Sequence, residues 1–213
     1  MDYEIVTIGP SASFPDGDAF LAGASAGAPV LLYLGDCRGQ EIAADPARDA
    51  VLIELGNECL GDYSGEAAGE EGSRLLGFAR YRNGADAPSE LVELVRQPAT
   101  PDSAIAAAKA VFEAAGLEVA VSSDRAGRIV DRLVRPKYNA ALTFLDEGLA
   151  TAADMDLTCR LGLGYPDGPI ERLERGGLAA HYEVSQALFQ AYGTPAYAPA
   201  RRAAVAYRRS KTT

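Results

Sequence analysis

The sequence predicts a shortened α/β domain over residues 1–122, followed by an all-helical domain over residues 123–213. The first half contains short apolar runs separated by turns and helical segments, which is typical of a mainly parallel sheet covered by helices. The second half carries its apolar residues at helical spacing. The pattern changes near Ser122, Ser123 and Asp124, which therefore mark the predicted domain boundary.

Six apolar runs in the first half have the length of strands. They are Tyr3–Ile8, Pro29–Leu34, Ala50–Leu55, Leu76–Tyr81, Leu91–Val95 and Leu117–Val121. A short helix is expected over Asp18–Ala26, and Asp62–Ser73 has the glycine and glutamate content of a loop. A longer helix is predicted over Ser103–Ala115, because Thr100 or Asp102 can cap its start and Gly116 can end it.

The second half predicts five helices separated by glycine and proline. They cover Arg128–Gly148, Thr151 to about Leu161, Ile170–Arg175, Leu178–Tyr192 and Ala200–Arg209. Thr151 with Asp154 three residues later resembles a capping box. A Gly/Pro loop over Gly162–Pro169 separates the second of these helices from the third.

The composition excludes several classes of protein. Thirty acidic against 20 basic residues give a net charge of -10, which disfavours nucleic acids and anionic membranes as partners. The apolar runs are too short to span a bilayer, and the first residues lack the basic start of a secretory signal, so we expect a cytoplasmic protein. The basic tail, Arg201 to Lys211, suits either a solvated helix end or a contact with a phosphate or CoA.

Cysteine and histidine are scarce. Cys37, Cys59 and Cys159 form no C-x-x-C pair, which favours reduced thiols. His181 is the single histidine, so a His-rich metal site is excluded and no metal is expected. We expect His181 to face solvent or an interface.

From Gly127 onwards the chain resembles the 3-hydroxyacyl-CoA dehydrogenase family. The resemblance rests on three groups of residues in the family's order. They are Gly127, Ile129, Arg132, Pro136, Asn139 and Ala140, then Glu147, Gly148, Ala150, Asp154 and Asp156, and then Gly162, Gly164, Pro166, Gly168 and Pro169. The segment from Ser89 to Asp124 resembles the last part of the family's Rossmann domain, so the likeness covers about residues 75–200.

The resemblance implies a Rossmann domain that binds NAD, followed by a helical dimerisation domain of the 6-phosphogluconate-dehydrogenase-like type. It also implies hydride transfer between NAD and the 3-hydroxyl of an acyl-CoA, in fatty-acid metabolism. In the family a histidine takes the hydroxyl proton, a glutamate orients the histidine, and a serine and an asparagine assist at the carbonyl. A neutral imidazole is a suitable base for that step.

The predicted nucleotide site departs from the family pattern. A dinucleotide fingerprint needs spaced glycines between a strand and a helix, so that the pyrophosphate can approach the backbone. Here the first strand is followed by Gly9, Pro10, Ser11, Ala12, Ser13 and Phe14. The resemblance implies a longer Rossmann domain than the about 120 residues that precede the helical domain here, so we expect part of the nucleotide half to be missing. We therefore expect NAD to bind weakly or not at all.

The candidate catalytic residues are Glu93, Asp131 and Cys59. Glu93 matches the family's histidine-orienting glutamate, although an exposed strand residue or a salt-bridge partner is the plainer interpretation. Asp131 stands in place of the family's asparagine, and Cys59 or Glu58 stands near its serine. The histidine position falls on Ala79, or on Arg80 or Tyr81 if the alignment slips. If Glu93 and Asp131 lay close together, one carboxyl pKa would rise and give a weak acid or base.

Two functions remain open from the sequence. The chain is either a shortened dehydrogenase acting on an acyl-CoA, or a non-catalytic scaffold, auxiliary subunit or acyl-CoA-binding relative. A homodimer is expected in both cases, because the helical half holds more apolar surface than it can hide. That surface includes Leu142, Phe144, Leu145, Leu149, Leu161, Leu163, Tyr182, Leu188, Phe189 and Tyr192.

Overall fold

Six strands form one sheet in the order in which they occur along the chain. In the computed structural model, which describes residues 2–212, they are β1 (Tyr3–Thr7), β2 (Val30–Leu34), β3 (Ala50–Glu54), β4 (Leu75–Arg80), β5 (Leu91–Arg96) and β6 (Glu118–Ser123). Strands β1 to β4 are parallel, β5 runs antiparallel to β4, and β6 is parallel to β5. The mainly parallel sheet predicted from the sequence is confirmed.

The chain divides into two compact units. The first comprises the residues up to Arg82 together with Pro88–Arg128. The second comprises Asn83–Ala87 together with the residues from Ile129 onwards. The sheet lies in the first unit with helices α1 (Ala19–Ala22), α2 (Gly61–Ser64) and α3 (Asp102–Ala114), and the helical C-terminal region lies in the second.

Alternate residues of the central strands cover the two faces of the sheet. Val30, Leu32 and Leu52 belong to one core cluster, in which α3 and the aromatic rings of Phe14 and Phe20 also lie. Val51 and Ile53 belong to the other cluster, with Cys37 and Ile42 of the β2–β3 connection. Both faces are thus buried, as the near-continuous apolar runs predict.

The connections that flank β2 run over opposite faces. The β1–β2 connection packs on the α3 face, and the β2–β3 connection packs on the other. Both step between parallel neighbours in the same direction across the sheet. Two such connections on opposite faces have opposite hands, so one of them departs from the right-handed rule for parallel crossovers.

The first helix is shorter than the sequence predicts. It covers Ala19–Ala22, with Asp18 as the N-cap that accepts from the Phe20 amide, and it ends at Gly23. The prediction of a helix up to Ala26 is wrong. The Ser25 N–H donates to the Tyr3 carbonyl of β1 at 2.7 Å, so its hydrogen bond goes to the neighbouring strand and not to a helix. The predicted loop after β3 contains the one-turn helix α2.

The second unit contains α4 (Ile129–Asp146), α5 (Ala152–Leu163), α6 (Pro169–Gly176), α7 (Leu178–Tyr192), a 3₁₀ turn (Pro195–Tyr197) and α8 (Arg201–Ser210). Their shared core includes Tyr138, Leu142, Ile170, Leu173 and Ala203. Pro136 lies inside α4 and cannot donate to the Arg132 carbonyl. The Tyr197 hydroxyl donates to that carbonyl instead, at 3.3 Å. Among residues 2–212, no helix is both long enough and apolar enough to cross a bilayer.

Candidate functional site

The loop after β1 is held against the end of β2. The amides of Ile8 and Gly9 both donate to the Leu34 carbonyl, at 2.8 and 3.4 Å. Gly35 has a φ of +101°, and a Cβ on it would lie 2.6 Å from the Gly9 backbone, so only glycine allows this approach. Pro10 has no amide to offer. The first amides of this loop, those of Ile8 and Gly9, therefore bind the Leu34 carbonyl and are not available to a ligand.

A buried carboxylate occupies the carboxyl edge of the parallel strands. Glu54, the last residue of β3, is 6% exposed. Its Oε1 accepts from the Ser13 amide at 2.8 Å, and its Oε2 accepts from the Gly35 amide at 2.7 Å. One side chain thus ties the loops that follow β1 and β2. A negative charge stands beside the amides that a dinucleotide-binding fold directs at phosphate.

The rest of the β1 loop is part of the core. The Phe14 ring stacks on Phe20 with 4.2 Å between centroids, and the Arg80 guanidinium lies 4.9 Å above it. Arg80 also pairs with Asp18 at 2.9 Å and donates to the Ser13 carbonyl at the same distance. Aromatic stacking, an ion pair and a hydrogen bond therefore hold the loop in place.

These residues do not fit a dinucleotide. The pyrophosphate would need free amides at a helix N-terminus after β1, whereas the helix there has four residues and is capped by a carboxylate, Asp18. The six strands described also run in one order across the sheet, without the reversal at which such sheets bind nucleotides.

Glu93 lies in the middle of β5, buried at 2% exposure. The expectation of an exposed strand residue is wrong, because this side of β5 shares its face with the core residue Val95. Its cross-strand neighbour is Ala79, the first of the candidate histidine positions. Register therefore places a side chain at position 79 beside the Glu93 carboxylate, and alanine offers only a methyl group.

Arg128 is the charged neighbour of Glu93. The residue is 5% exposed, and its Nη2 donates to the carbonyls of Glu58 and Arg125 at 2.9 and 2.6 Å. Burial lowers the pKa of Arg128. Several nearby negative charges raise that pKa again, and Glu93 has the largest effect among them. An arginine cannot serve as a base near neutral pH. Glu93 therefore faces a permanent cation.

Cys59 lies in the same unit, in the segment between β3 and α2, and Arg128 is also near it. Burial raises the pKa of its thiol, and the carboxylates of Asp124 and Asp62 raise it further. Asp124 itself is held by the amides of Leu60 and Gly61 at 2.7 and 2.8 Å. A thiol kept protonated in this way is a poor nucleophile.

Asp131 belongs to the second unit, in the first turn of α4. Its carboxylate pairs with Arg135 one turn later at 2.5 Å. Cys59 and Glu93 share one unit and the neighbourhood of Arg128, whereas Asp131 belongs to a different charge cluster. The assignment of all three as catalytic residues stays a prediction.

His181 is buried at 2% exposure in α7, so the expectation of a solvent-facing or interface histidine is wrong. Its Nδ1 faces the Arg135 Nη1 at 3.3 Å, and its Nε2 lies 2.9 Å from the Asn139 Oδ1. Since Arg135 can only donate, Nδ1 accepts and Nε2 carries the proton. Burial, with help from Arg135, lowers the pKa of His181 to about 3, so the ring is neutral.

The residues that carry the family resemblance in the second unit have structural roles. Asp156 accepts from the amides of Ile170 and Glu171 at 2.8 and 3.1 Å, and so caps α6. Gly168 leaves room for that carboxylate, because a Cβ would lie 2.2 Å from it. Asn139 binds the Ala200 amide and the Ala196 carbonyl. These motifs therefore account for the packing of the helices.

The sequence did not single out Glu54 or Arg128. Glu54 had one signal, a lone charge at the end of an otherwise apolar strand. Arg128 had none, because a basic residue before a helix is ordinary. Within residues 2–212, no group of three His, Cys, Asp or Glu side chains is arranged to hold a metal ion.

Residues 127–212 match the family model described as 3-hydroxyacyl-CoA dehydrogenase, C-terminal domain. A protein of Bradyrhizobium diazoefficiens named 3-hydroxybutyryl-CoA dehydrogenase is 36% identical over 110 residues, 52% of this chain and 38% of that protein. A Mycobacterium tuberculosis protein of the same name is 31% identical over 134 residues, 62% of this chain and 46% of that protein. The chain thus spans less than half the length of these two relatives.

The crystal structure of (S)-3-hydroxybutyryl-CoA dehydrogenase from Ralstonia eutropha superposes with a TM-score of 0.70. The superposition covers 85% of this chain and 66% of that one, at 20% sequence identity. It establishes a Rossmann-like sheet followed by a helical domain as the fold.

Proposed function

Because the chain belongs through its helical domain to the 3-hydroxyacyl-CoA dehydrogenase family, we propose that it is a non-catalytic member of that family. It serves 3-hydroxyacyl-CoA metabolism as a dimeric scaffold or auxiliary subunit. Hydride transfer to NAD is left to another protein.

The observation that carries this proposal is the Glu54 carboxylate. It holds the amides of Ser13 and Gly35 with two short hydrogen bonds. A bound pyrophosphate would have to displace that carboxylate or share the edge of the sheet with its charge. Both are costly, because a buried carboxylate that loses its donors keeps its desolvation cost.

Glu93 supports the same proposal. In the family the corresponding glutamate orients a neutral histidine, whereas here its neighbours are the methyl group of Ala79 and the cation of Arg128. With a methyl group at position 79, the Glu93 carboxylate has no imidazole beside it to orient. The Glu93 carboxylate thus stabilises Arg128, and Arg128 in turn holds the segment that contains Glu58.

The second candidate is an NAD-linked oxidoreductase that acts on 3-hydroxyacyl-CoA itself. It is favoured by the names of the two curated relatives and by the match of Glu93 to the family's glutamate. This function needs a general base and a nucleotide site. Among the described residues, alanine occupies the histidine position, and the spaced glycines of the family are absent after β1.

A fluorescence titration with NADH separates the two candidates. We expect no saturable binding up to about 1 mM NADH, corresponding to less than about 4 kcal/mol of binding free energy. The Bradyrhizobium relative is the positive control under the same conditions. Micromolar binding, with NADH consumed when acetoacetyl-CoA is added, would establish the dehydrogenase instead.

The dimer is proposed to form through the helical unit. Leu142 and Leu188 are buried in their own unit, but Leu161 is 79% exposed, and Leu149, Leu157 and Leu163 are exposed with it. Leu157 and Leu161 lie one turn apart on α5. An apolar stripe of this kind is typical of an association surface.

Light scattering in about 0.15 M salt, where surface charges are screened beyond about 8 Å, should give a mass near twice 22.3 kDa. Leu161→Glu should weaken self-association at least tenfold, because it places a charge in the proposed interface. Ser103→Glu adds the same charge at an exposed position of α3 and should leave the dimer intact. A concentration-independent monomer mass for the unmodified chain would refute the dimer.

A further inference from the structure

The loop between β4 and β5 carries a tip that belongs to the helical unit. Both strands lie in the first unit, whereas Asn83–Ala87 of the loop that joins them is part of the second. At the base of the loop, in the first unit, the Ser89 amide donates to the Tyr81 carbonyl at 2.8 Å. Five residues of a strand-to-strand loop thus complete the helical unit.

An amide and an ion pair attach the tip to α6. Asn83 is 8% exposed, and its Nδ2 donates to the Arg172 carbonyl at 3.1 Å and to the Asp86 Oδ2 at 3.5 Å. Arg175 pairs with the same Asp86 carboxylate at 2.9 Å. Both arginines lie in the second half of α6, so the tip is held at the end of that helix.

Two glycines let the tip and the helix approach each other closely. A Cβ on Gly84 would lie 2.7 Å from the Arg175 carbonyl, and a Cβ on Gly176 would lie 2.4 Å from the Asn83 Oδ1. Gly84 also has a φ of +62°, which residues with a side chain rarely adopt. The tip therefore fits the end of α6 only with glycine at both positions.

The tip contains a chemically reactive step. Asn83–Gly84 is the single Asn-Gly pair of the sequence, since Asn57 precedes glutamate and Asn139 precedes alanine. Such a pair is prone to lose ammonia, because glycine has no side chain to keep its amide nitrogen from the asparagine carbonyl carbon. The asparagine side chain must swing towards that nitrogen to react. The two hydrogen bonds of the Asn83 amide oppose this motion, so the docked tip protects the step.

We propose that Asn83–Ala87 is a latch on α6, and that deamidation of Asn83 opens the latch and keeps it open. The proposal goes beyond the function proposed above and does not rest on it. It rests on the reactive step and on the contacts that hold the tip.

The product of deamidation does not fit the docked tip. A carboxylate at position 83 has no proton to donate to the Arg172 carbonyl or to Asp86. Arg175 already pairs with three carboxylates, at 2.6, 2.9 and 3.6 Å, so it does not neutralise a fourth. The new charge therefore faces the charge of Asp86 where an amide now bridges the gap, and the two repel each other.

The reaction balances with water as its only co-reactant. The Gly84 amide nitrogen attacks Cγ of Asn83, the bond from Cγ to Nδ2 breaks, and ammonia leaves with the proton of the Gly84 nitrogen. Water then adds to the cyclic imide and opens it. The product is aspartate or isoaspartate at position 83, and nothing is oxidised or reduced.

The first test follows deamidation of the full chain at pH 8 by peptide mass spectrometry, in buffer and in urea. We expect Asn83 to react at least about tenfold more slowly in the folded protein than in the unfolded chain, because the tip must undock first. Asn57 and Asn139 are internal controls and should react more slowly than Asn83 in urea. Equal Asn83 rates in the two states would overturn the proposal.

Arg175→Ala removes the ion pair with Asp86 and should speed deamidation of the folded protein about two- to fivefold, as expected for an exposed pair. Arg160→Ala is the matched control. Arg160 pairs with Glu171 of the same helix at 2.7 Å and is exposed to a similar degree, but it does not bind the tip. Equal Asn83 rates in these two variants would contradict attachment of the tip through Arg175.

Asn83→Asp reproduces the product, and hydrogen exchange reports whether the latch is open. Within the tip the Asp86 amide donates to the residue 83 carbonyl at 3.2 Å. We expect its exchange to speed up about tenfold, while the Ser89 amide at the base of the loop is unchanged. Protein aged until Asn83 is deamidated gives the same measurement without a substitution, and circular dichroism confirms folding. An equally protected Asp86 amide in both samples would overturn the latch.

Discussion

Replacing Glu54 by alanine should lower the free energy of unfolding by about 3–5 kcal/mol. The change leaves the buried amides of Ser13 and Gly35 without an acceptor, at about 1–3 kcal/mol each, and leaves a cavity at the edge of the sheet. Urea denaturation followed by circular dichroism measures the difference.

Two variants sharpen this measurement. Glu54→Gln keeps the shape but can accept through one oxygen only, so it should lose about half as much stability. Glu118→Ala removes an exposed carboxylate of the same sheet and should change stability by less than about 0.5 kcal/mol. If Glu54→Ala were as stable as Glu118→Ala, the carboxylate would not be holding the two loops. Neither Glu54 variant is expected to gain NADH binding, because Phe14 and Pro10 still shape the loop.

The protein should lose stability in acid through its single histidine. The pKa of His181 is about 3 in the folded chain and about 6.5 when exposed. Between these values the unfolded chain binds a proton that the folded chain does not, so the free energy of unfolding falls as the pH falls. The loss is about 1.4 kcal/mol per pH unit, or about 2–3 kcal/mol between pH 7 and pH 4.5.

His181→Gln isolates this effect, because the chain has no other histidine. The glutamine amide can still donate to Asn139, but it does not titrate. The stability of the unmodified protein relative to His181→Gln should fall by about 2–3 kcal/mol from pH 7 to pH 4.5, since carboxylate titration is common to both. A difference independent of pH would show that His181 is not buried in its neutral form.

The fold was predictable because its signals are local. Alternation between apolar runs and turns indicated the sheet, and helical spacing with Thr151 and Gly193 at helix ends indicated the helices. The fold class is confirmed by the structure. The extent of the first helix was not predictable, because the Ser25 to Tyr3 hydrogen bond joins residues that are far apart in the chain.

The candidate site was less predictable, because its chemistry depends on which charged groups lie next to each other in the folded chain. Nothing in the sequence pairs Glu93 with Arg128, or Glu54 with the amides of two separate loops. His181 was misjudged because histidine is a residue type of intermediate burial, and the sequence does not show which partners a histidine finds in space. Its burial depends on Asn139 and Arg135 of another helix, which satisfy both ring nitrogens. The family resemblance identified the helical domain and left the chemistry of the site open.

The sequential order of the strands also bears on how the chain folds. Each strand pairs with the one before it in the chain. The segment that joins two paired strands is therefore never longer than a single connection. The entropy lost on closing a loop grows with its length, and a low contact order is associated with fast folding. The antiparallel pair β4 and β5, joined only by residues 81–90, is the most local of these ladders. The sheet can therefore grow outwards from that hairpin one strand at a time, without a strand having to be inserted between two others.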